Sequence, residues 1–256
     1  MNETIQKNLD YKKYVIDSKL QYFKPHASKI EKTFAEEISS SLNRDSKFIA
    51  PKFFYDKKGS DLFEKICTLP EYYPTRTEIS ILKNLQTELP SFIDESFRLV
   101  ELGSGASVKT RLILDIFTQM QQITEYFPID ISEILTESSE LLLQDYDNLR
   151  ITGIIDTYEG GLKFLKNYDE KKNLIVFLGS SFGNFSPFDG KNFLDKINST
   201  MKSGDLFLIG LDLVKDSHIL ESAYNDAQGI TAEFNLNVLS RINDELVADF
   251  NLNNFS

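Results

Sequence analysis

Glu101–Thr110, ELGSGASVKT, follows the apolar run FRLV (97–100) and reads as a strand running into a glycine turn. A phosphate-binding P-loop requires G-x-x-x-x-G-K-[ST]. Gly103, Lys109 and Thr110 meet that pattern, but Val108 stands where the second glycine belongs. A dinucleotide loop requires G-x-G-x-x-G; Gly103 and Gly105 fit, and Val108 fails again. Val108 brings a Cβ to a place where both loops need bare backbone against phosphate. A third reading needs no third glycine: a strand ending acidic-x-Gly-x-Gly that meets a ligand without phosphates.

Outward from this turn, apolar runs alternate with segments of helical spacing. The runs are residues 97–102, YFPID (126–130), ITGIID (151–156), NLIVFLG (173–179) and DLFLIGLD (205–212). Such alternation predicts an α/β fold, a parallel sheet with helices on both faces. Right-handed crossovers place the strand C-termini on one edge, where such folds bind ligands. Upstream, Ile30, Phe34, Ile38 and Leu42 predict a helix over 28–45. A second is expected over 61–69, opened by Ser60 or Asp61, and a third over 75–93, capped by Thr75. After Asp212 the alternation stops. Residues 217–246 read as helical with a break at Gly229, and 247–256 as a weak strand. The expected organisation is a helical leader, a Rossmann-like centre (76–210) and a mainly helical lobe built from 1–75 and 211–256.

The 256 residues are 41% hydrophobic with 20 Phe and 11 Tyr, ample for a core. A net charge of -11 without a basic stripe argues against a nucleic-acid substrate. One cysteine, Cys67, excludes an internal disulfide and points to a reducing compartment. The N-terminus is too polar for a signal peptide, and no apolar run reaches membrane-spanning length. A cytoplasmic protein without membrane partners is expected. His26, His218 and Cys67 cannot build a zinc cage, and no metal is expected.

Polar residues collect at the strand ends. Asp130 can accept both ribose hydroxyls of a nucleoside, or cap the next helix. With it, the Glu101–Gly103–Gly105 turn has the loop shape of S-adenosylmethionine (SAM) enzymes. Thr157 and Tyr158 can flank an adenine, or Thr157 can serve as an ordinary helix cap. Lys109 can pair with a ligand carboxylate such as the methionyl tail of SAM, or stand solvated. In LGSSFGNFSP (178–187), Asn184 can meet a substrate amine or carboxylate, or simply close a turn. PEYYP (70–74) sets two tyrosines between prolines, in a rigid turn expected not to bury both easily.

Five stretches together closely resemble the histidine-specific SAM-dependent methyltransferase family: residues 53–82 (FFYDKKGSDLFEKICTLPEYYPTRTEISIL), 99–110 (LVELGSGASVKT), 126–132 (YFPIDIS), 177–187 (FLGSSFGNFSP) and 210–246 (GLDLVKDSHILESAYNDAQGITAEFNLNVLSRINDEL). TYEGGL (157–162) is nearer the fungal members than the bacterial ones. The resemblance implies a Rossmann-like SAM methyltransferase sheet with a helical substrate lobe. It implies direct in-line methyl transfer to the α-amino group of histidine, as in ergothioneine biosynthesis, or of a related aromatic amino acid. Implied SAM contacts are Gly103, Lys109, Asp130, Thr157 and Tyr158. Implied substrate contacts are Tyr72, Asn184 and Tyr224, with Tyr55 covering the amino group. The alternative is a SAM-binding remnant or partner-dependent regulatory protein; a nicotinamide oxidoreductase is opposed by Val108. Members of the family continue beyond the position of Ser256 with an imidazole-binding segment and the last strands of the sheet. The expectation is therefore a weakly active form whose fifth strand has an open edge, met by self-association or a second chain.

Overall fold

The computed structural model describes residues 10–26, 33–104, 108–132 and 134–255. Among them, seven strands form one sheet: β1 (Tyr11–Val15), β2 (Leu20–Pro25), β3 (Phe97–Leu102), β4 (Thr124–Asp130), β5 (Leu149–Ile155), β6 (Lys172–Phe177) and β7 (Leu206–Ile209). Their order is β1-β2-β5-β4-β3-β6-β7. The β1–β2 pair is antiparallel; every other pairing is parallel. All five expected strands are present, and the fold is the expected α/β one.

The centre of the sheet shows why its strands read as continuous apolar runs. β3 is buried from end to end, with Phe97 and Leu99 in one core and Val100 and Leu102 in the other. Strand geometry sends alternate side chains to opposite faces, so a strand covered on both sides must be apolar throughout. The first face is covered by α4 (Val108–Met120) and α5 (Ile134–Asp145), through Ile113, Phe117, Leu135 and Leu142. The second is covered by α6 (Tyr158–Lys166) and α7 (Pro187–Thr200), through Leu162, Phe164, Phe193 and Ile197. Each such buried side chain contributes about 1.5–3 kcal/mol of apolar burial.

Arg98, the polar exception in β3, is wholly buried. Its guanidinium donates to Asn173 (2.7 Å) and Asp169 (2.9 Å) and lies 4.4 Å from the Phe127 ring centroid. This charge sits near the strand starts, at the end of the sheet away from the glycine turn.

The chain divides into two compact units, residues 1–27 with 78–212 and residues 28–77 with 213–256. The remaining helices are α1 (Phe34–Leu42), α2 (Lys57–Thr68), α3 (Tyr73–Glu88), α8 (Ser217–Tyr224) and α9 (Ile230–Leu246). Among the described residues no helix is long and apolar enough to cross a membrane.

Several expectations are corrected. No element was expected over residues 11–25, at the head of the helical leader; they form a β-hairpin, in which Asp17 accepts the N–H groups of Lys19 (2.7 Å) and Leu20 (2.9 Å) in the turn and β2 extends the sheet beyond β5. YKKYV hid its strand character because β1 is an edge, where exposed lysines replace apolar alternation. Residues 247–256 form no strand among those described; a 3-10 turn stands at Leu252–Asn254. Helix α2 starts earlier than expected, capped by Asp56, whose carboxylate accepts the Gly59 N–H at 2.7 Å. Helix α3 starts at Tyr73, so Thr75 lies inside its first turn. Proline is tolerated there because first-turn N–H groups have no partner inside the helix. The first helix is confirmed over Phe34–Leu42, while 27–32 lie outside the described residues.

Candidate active site

β5, β4 and β3 lie side by side, so their C-terminal ends bring Asp156–Tyr158, Asp130 and Gly103 onto one edge. Gly103 has φ 76°, and its N–H donates to the Ile129 carbonyl at 3.0 Å. A Cβ there would stand 2.7 Å from the Tyr158 hydroxyl, so the turn and the start of α6 meet closely. Gly105 lies outside the described residues.

Beneath the turn, Glu101 is 3% exposed. Tyr126 donates to its carboxylate at 2.5 Å and Thr110 at 2.8 Å. Burial pushes this carboxyl up to about 7, against the opposing pull of Tyr126, Thr110 and Lys109. The acid of acidic-x-Gly-x-Gly thus ties β3 to β4 and α4.

Asp130 accepts the Ser132 N–H at 2.9 Å, in a turn ahead of α5. Burial raises its carboxyl above the usual range, while the N–H groups of Ser132, Ser104 and Ile131 oppose the rise. Thr157 is the N-cap of α6, accepting the Gly160 N–H at 3.2 Å. The Tyr158 ring packs edge-on against Phe177 (5.6 Å) and Phe193 (6.3 Å), so its hydroxyl rather than its face meets the glycine turn.

Lys109 has a protein partner that sequence reasoning missed. Its Nζ lies 2.5 Å from Glu78, which also accepts the Gly179 N–H at 2.9 Å and 3.0 Å. Nothing in the helical spacing around Glu78 singles it out. Gly179 (φ 82°) and Ser180 (φ 56°) turn the chain sharply after β6. Asn184 ends the following 3-10 turn, Ser181–Asn184, and is exposed.

The other expected substrate residues lie in the second unit. Tyr72 is 7% exposed, and its ring stands edge-on to Tyr224 at 5.8 Å. Tyr55 packs edge-on against Phe63 (5.4 Å) and Phe234 (5.6 Å). Desolvation, with Tyr224 and Cys67 nearby, holds the Tyr72 hydroxyl well above its usual value. Desolvation likewise pushes Tyr55 up to about 12. All three expected tyrosines are therefore gathered, and Tyr55 and Tyr72 are uncharged at neutral pH. The expectation that PEYYP cannot bury both tyrosines is wrong. Tyr73 is 9% exposed, because a helix starting at Tyr73 lets both rings reach the cluster of Ile66, Leu69 and Ala223.

Asp226, two residues beyond Tyr224, was also missed. It accepts the N–H groups of Gln228 (3.1 Å), Ile230 (3.0 Å) and Thr231 (2.7 Å), closing the entry to α9. Burial opposes its charge, but these N–H donors hold the carboxyl below its usual range. Its stabilisation is therefore present above the unfolded-state value and lost as pH falls. Asp226→Ala is expected to lower stability by about 1–2 kcal/mol, the usual effect of losing a helix cap. Urea unfolding checks this, and an unchanged midpoint would deny Asp226 that role.

The edge residues fit SAM. Gly103 offers backbone without a Cβ, and the adjacent strand end offers a carboxylate for a ribose. A Rossmann-like sheet carrying that pair, without a phosphate-loop glycine pattern, suits a SAM-dependent methyltransferase. The fold is shared with the crystal structure of a duf574 family protein from Streptomyces avermitilis, with a TM-score of 0.50 and 12% identity over 78% of this chain and 75% of that one. The chain belongs to the family of histidine-specific, SAM-dependent methyltransferases, whose family model matches residues 34–256. It is 40% identical over 220 residues to the histidine N-alpha-methyltransferase of Mycolicibacterium smegmatis, spanning 86% of this chain and 68% of that protein. It is 36% identical over 192 residues to ergothioneine biosynthesis protein 1 of Neurospora crassa, spanning 74% of this chain and 22% of that protein.

Proposed function

We propose that this chain methylates the α-amino group of histidine with SAM, as the relative from M. smegmatis is named for doing. The observation that carries the reading is the row of Gly103, Asp130 and Tyr158 on three adjacent strand ends, in a chain of this family. SAM supplies a sulfonium-bound methyl group: the amine lone pair forms the new N–C bond as the S–C bond breaks, its electrons stay on sulfur, and the amine proton leaves to solvent.

The protein's part is binding and alignment. Gly103 lets the adenosine approach backbone, the Asp130 carboxylate accepts the ribose hydroxyls, and Thr157 with the Tyr158 hydroxyl borders the adenine. An ammonium has three N–H donors. Glu78 engages Lys109, and the remaining donors suit the methionyl carboxylate. Tyr72 and Tyr224 hold the amino-acid end of the substrate, with Tyr55 beside the amine; the helical unit is thus the substrate lobe. Neutral phenols give an ammonium little stabilisation, which favours the uncharged amine that transfer needs. A single cysteine, Cys67, leaves no internal disulfide to form and supports a reducing, cytoplasmic setting. Among the described residues β7 pairs on one side only, which supports self-association or a second chain along that strand.

Incubation with SAM and a panel of amino acids, read by mass, tests the assignment. Histidine gaining whole methyl increments at its α-nitrogen is expected. Modification of a thiol or carboxylate with histidine ignored would overturn it. Tyr224→Phe is expected to raise the KM for histidine about tenfold, the effect of one lost hydrogen bond. A KM left unchanged would remove Tyr224 from the substrate contacts.

A further inference from the structure

The N-terminal hairpin lies outside the stretch matched by the family, residues 34–256, yet one of its side chains reaches the edge just described. The Tyr11 hydroxyl donates to Oδ2 of Asp156, the residue that follows β5 and precedes Thr157. The Tyr11 ring is fixed as well, edge-on to Phe164 of α6 at 4.8 Å. The other carboxylate oxygen, Oδ1, accepts the Thr157 N–H at 2.7 Å. The Asp156 N–H donates to the Asp130 carbonyl at 3.1 Å, so Asp156 is also fastened to the strand end carrying the proposed ribose ligand. The carboxylate lies over the first turn of α6, where a Cβ on Gly160 would stand 2.0 Å from Oδ2. A carboxylate in that place is favoured by the helix N-terminus. One connected path therefore runs from the hairpin through Asp156 to Thr157 and Tyr158, and from Tyr158 to Gly103.

We infer that Tyr11 is a positioning residue of the SAM site, holding Asp156 and through it the start of α6 that borders the adenosine. The inference rests on the placement of SAM proposed above. Tyr11 acts through Asp156 and touches neither cofactor nor substrate. It sets the orientation of the helix start, and a hairpin added to the far end of the sheet thereby tunes cofactor affinity. Desolvation and Asp156 raise the Tyr11 hydroxyl above its ordinary value, which keeps its proton available to Asp156 at neutral pH.

The test is calorimetric binding of S-adenosylhomocysteine, with steady-state kinetics, for the parent chain, Tyr11→Phe, Asp156→Asn, the double variant, Tyr14→Phe and Asp130→Ala. Tyr11→Phe keeps the ring on Phe164 and removes only the hydroxyl. It is expected to weaken binding about tenfold and raise the KM for SAM equally, with kcat at saturating SAM unchanged. Tyr14→Phe, a hydroxyl lost from the same strand, is expected to change nothing. In the Asp156→Asn background, Tyr11→Phe is expected to add less than twofold. Binding within twofold of the parent in Tyr11→Phe, with binding lost in Asp130→Ala, would overturn the inference and leave the site standing. Binding retained in both would overturn the site and the inference together. A fall in kcat at unchanged KM, or a full tenfold loss in the Asp156→Asn background, would also overturn it. Should Tyr11→Phe fail to fold, Asp156→Asn decides: parent-like affinity there sinks the inference.

Discussion

An Asp130→Ala chain is expected to bind S-adenosylhomocysteine at least about a hundredfold more weakly than the parent. The carboxylate stands at the C-terminal end of β4, where a ribose in a doubly wound sheet meets an acid. Each ribose hydroxyl donating to a charged acceptor contributes about 1.5–3 kcal/mol, and two are lost together. Part of the effect passes through the protein, because the same carboxylate organises the turn at Ser132. Asp130→Asn separates the two contributions: it keeps an acceptor oxygen for the turn, removes the charge, and is expected to fall between parent and alanine. Calorimetric titration measures the loss, and a thermal melt verifies the fold. Affinity within threefold of the parent in Asp130→Ala would remove Asp130 from the site.

The second large effect is a pH dependence of stability centred on Glu101. Its carboxyl moves from an ordinary 4.5 to about 7 on folding, chiefly through desolvation. A folded-state value above the unfolded one means stabilisation fully present below about 4.5 and lost as pH rises through about 7. At about 1.4 kcal/mol per pH unit the loss is about 3 kcal/mol. Glu101→Gln keeps the shape without the titration. Urea unfolding at pH 5 and pH 8 is expected to show the two chains alike in acid and the parent relatively weaker in mild base. A gap between the two chains that stays constant with pH would defeat the assignment.

The sheet was legible in the sequence because both its faces are covered. Apolar runs such as LIVF (174–177) leave little room for another reading once helical segments separate them. The hairpin was not legible, because an edge strand hides its pattern behind lysines. Of the site, Gly103 and Asp130 could be read because strand ends impose backbone and charge requirements that single residues reveal. Glu78, Asp156 and Asp226 could not. Each works through a partner brought close by the fold: Lys109 for Glu78, Tyr11 for Asp156, and the backbone entry to α9 for Asp226. Thr157 illustrates the ambiguity: the cap and the adenine contact need the same residue at the same place, and the structure supplies the cap.

The pairing of β2 with β5 sets a timetable for the growing chain. Gln21 and Thr152, hydrogen-bonded partners across that pair, are 131 residues apart in the sequence. At synthesis rates of about 5–20 residues per second, the hairpin is made roughly 6–26 seconds before its partner strand exists. During that interval Tyr14, Val15 and Ile16, exposed even in the finished protein, travel on a strand with no sheet to join. Lys12, Lys13, Lys19 and Lys24 are crowded into the same stretch of an otherwise acidic chain. Charges flanking exposed apolar residues disfavour association of unpaired strands, and these lysines stand where that protection is needed until β5 arrives.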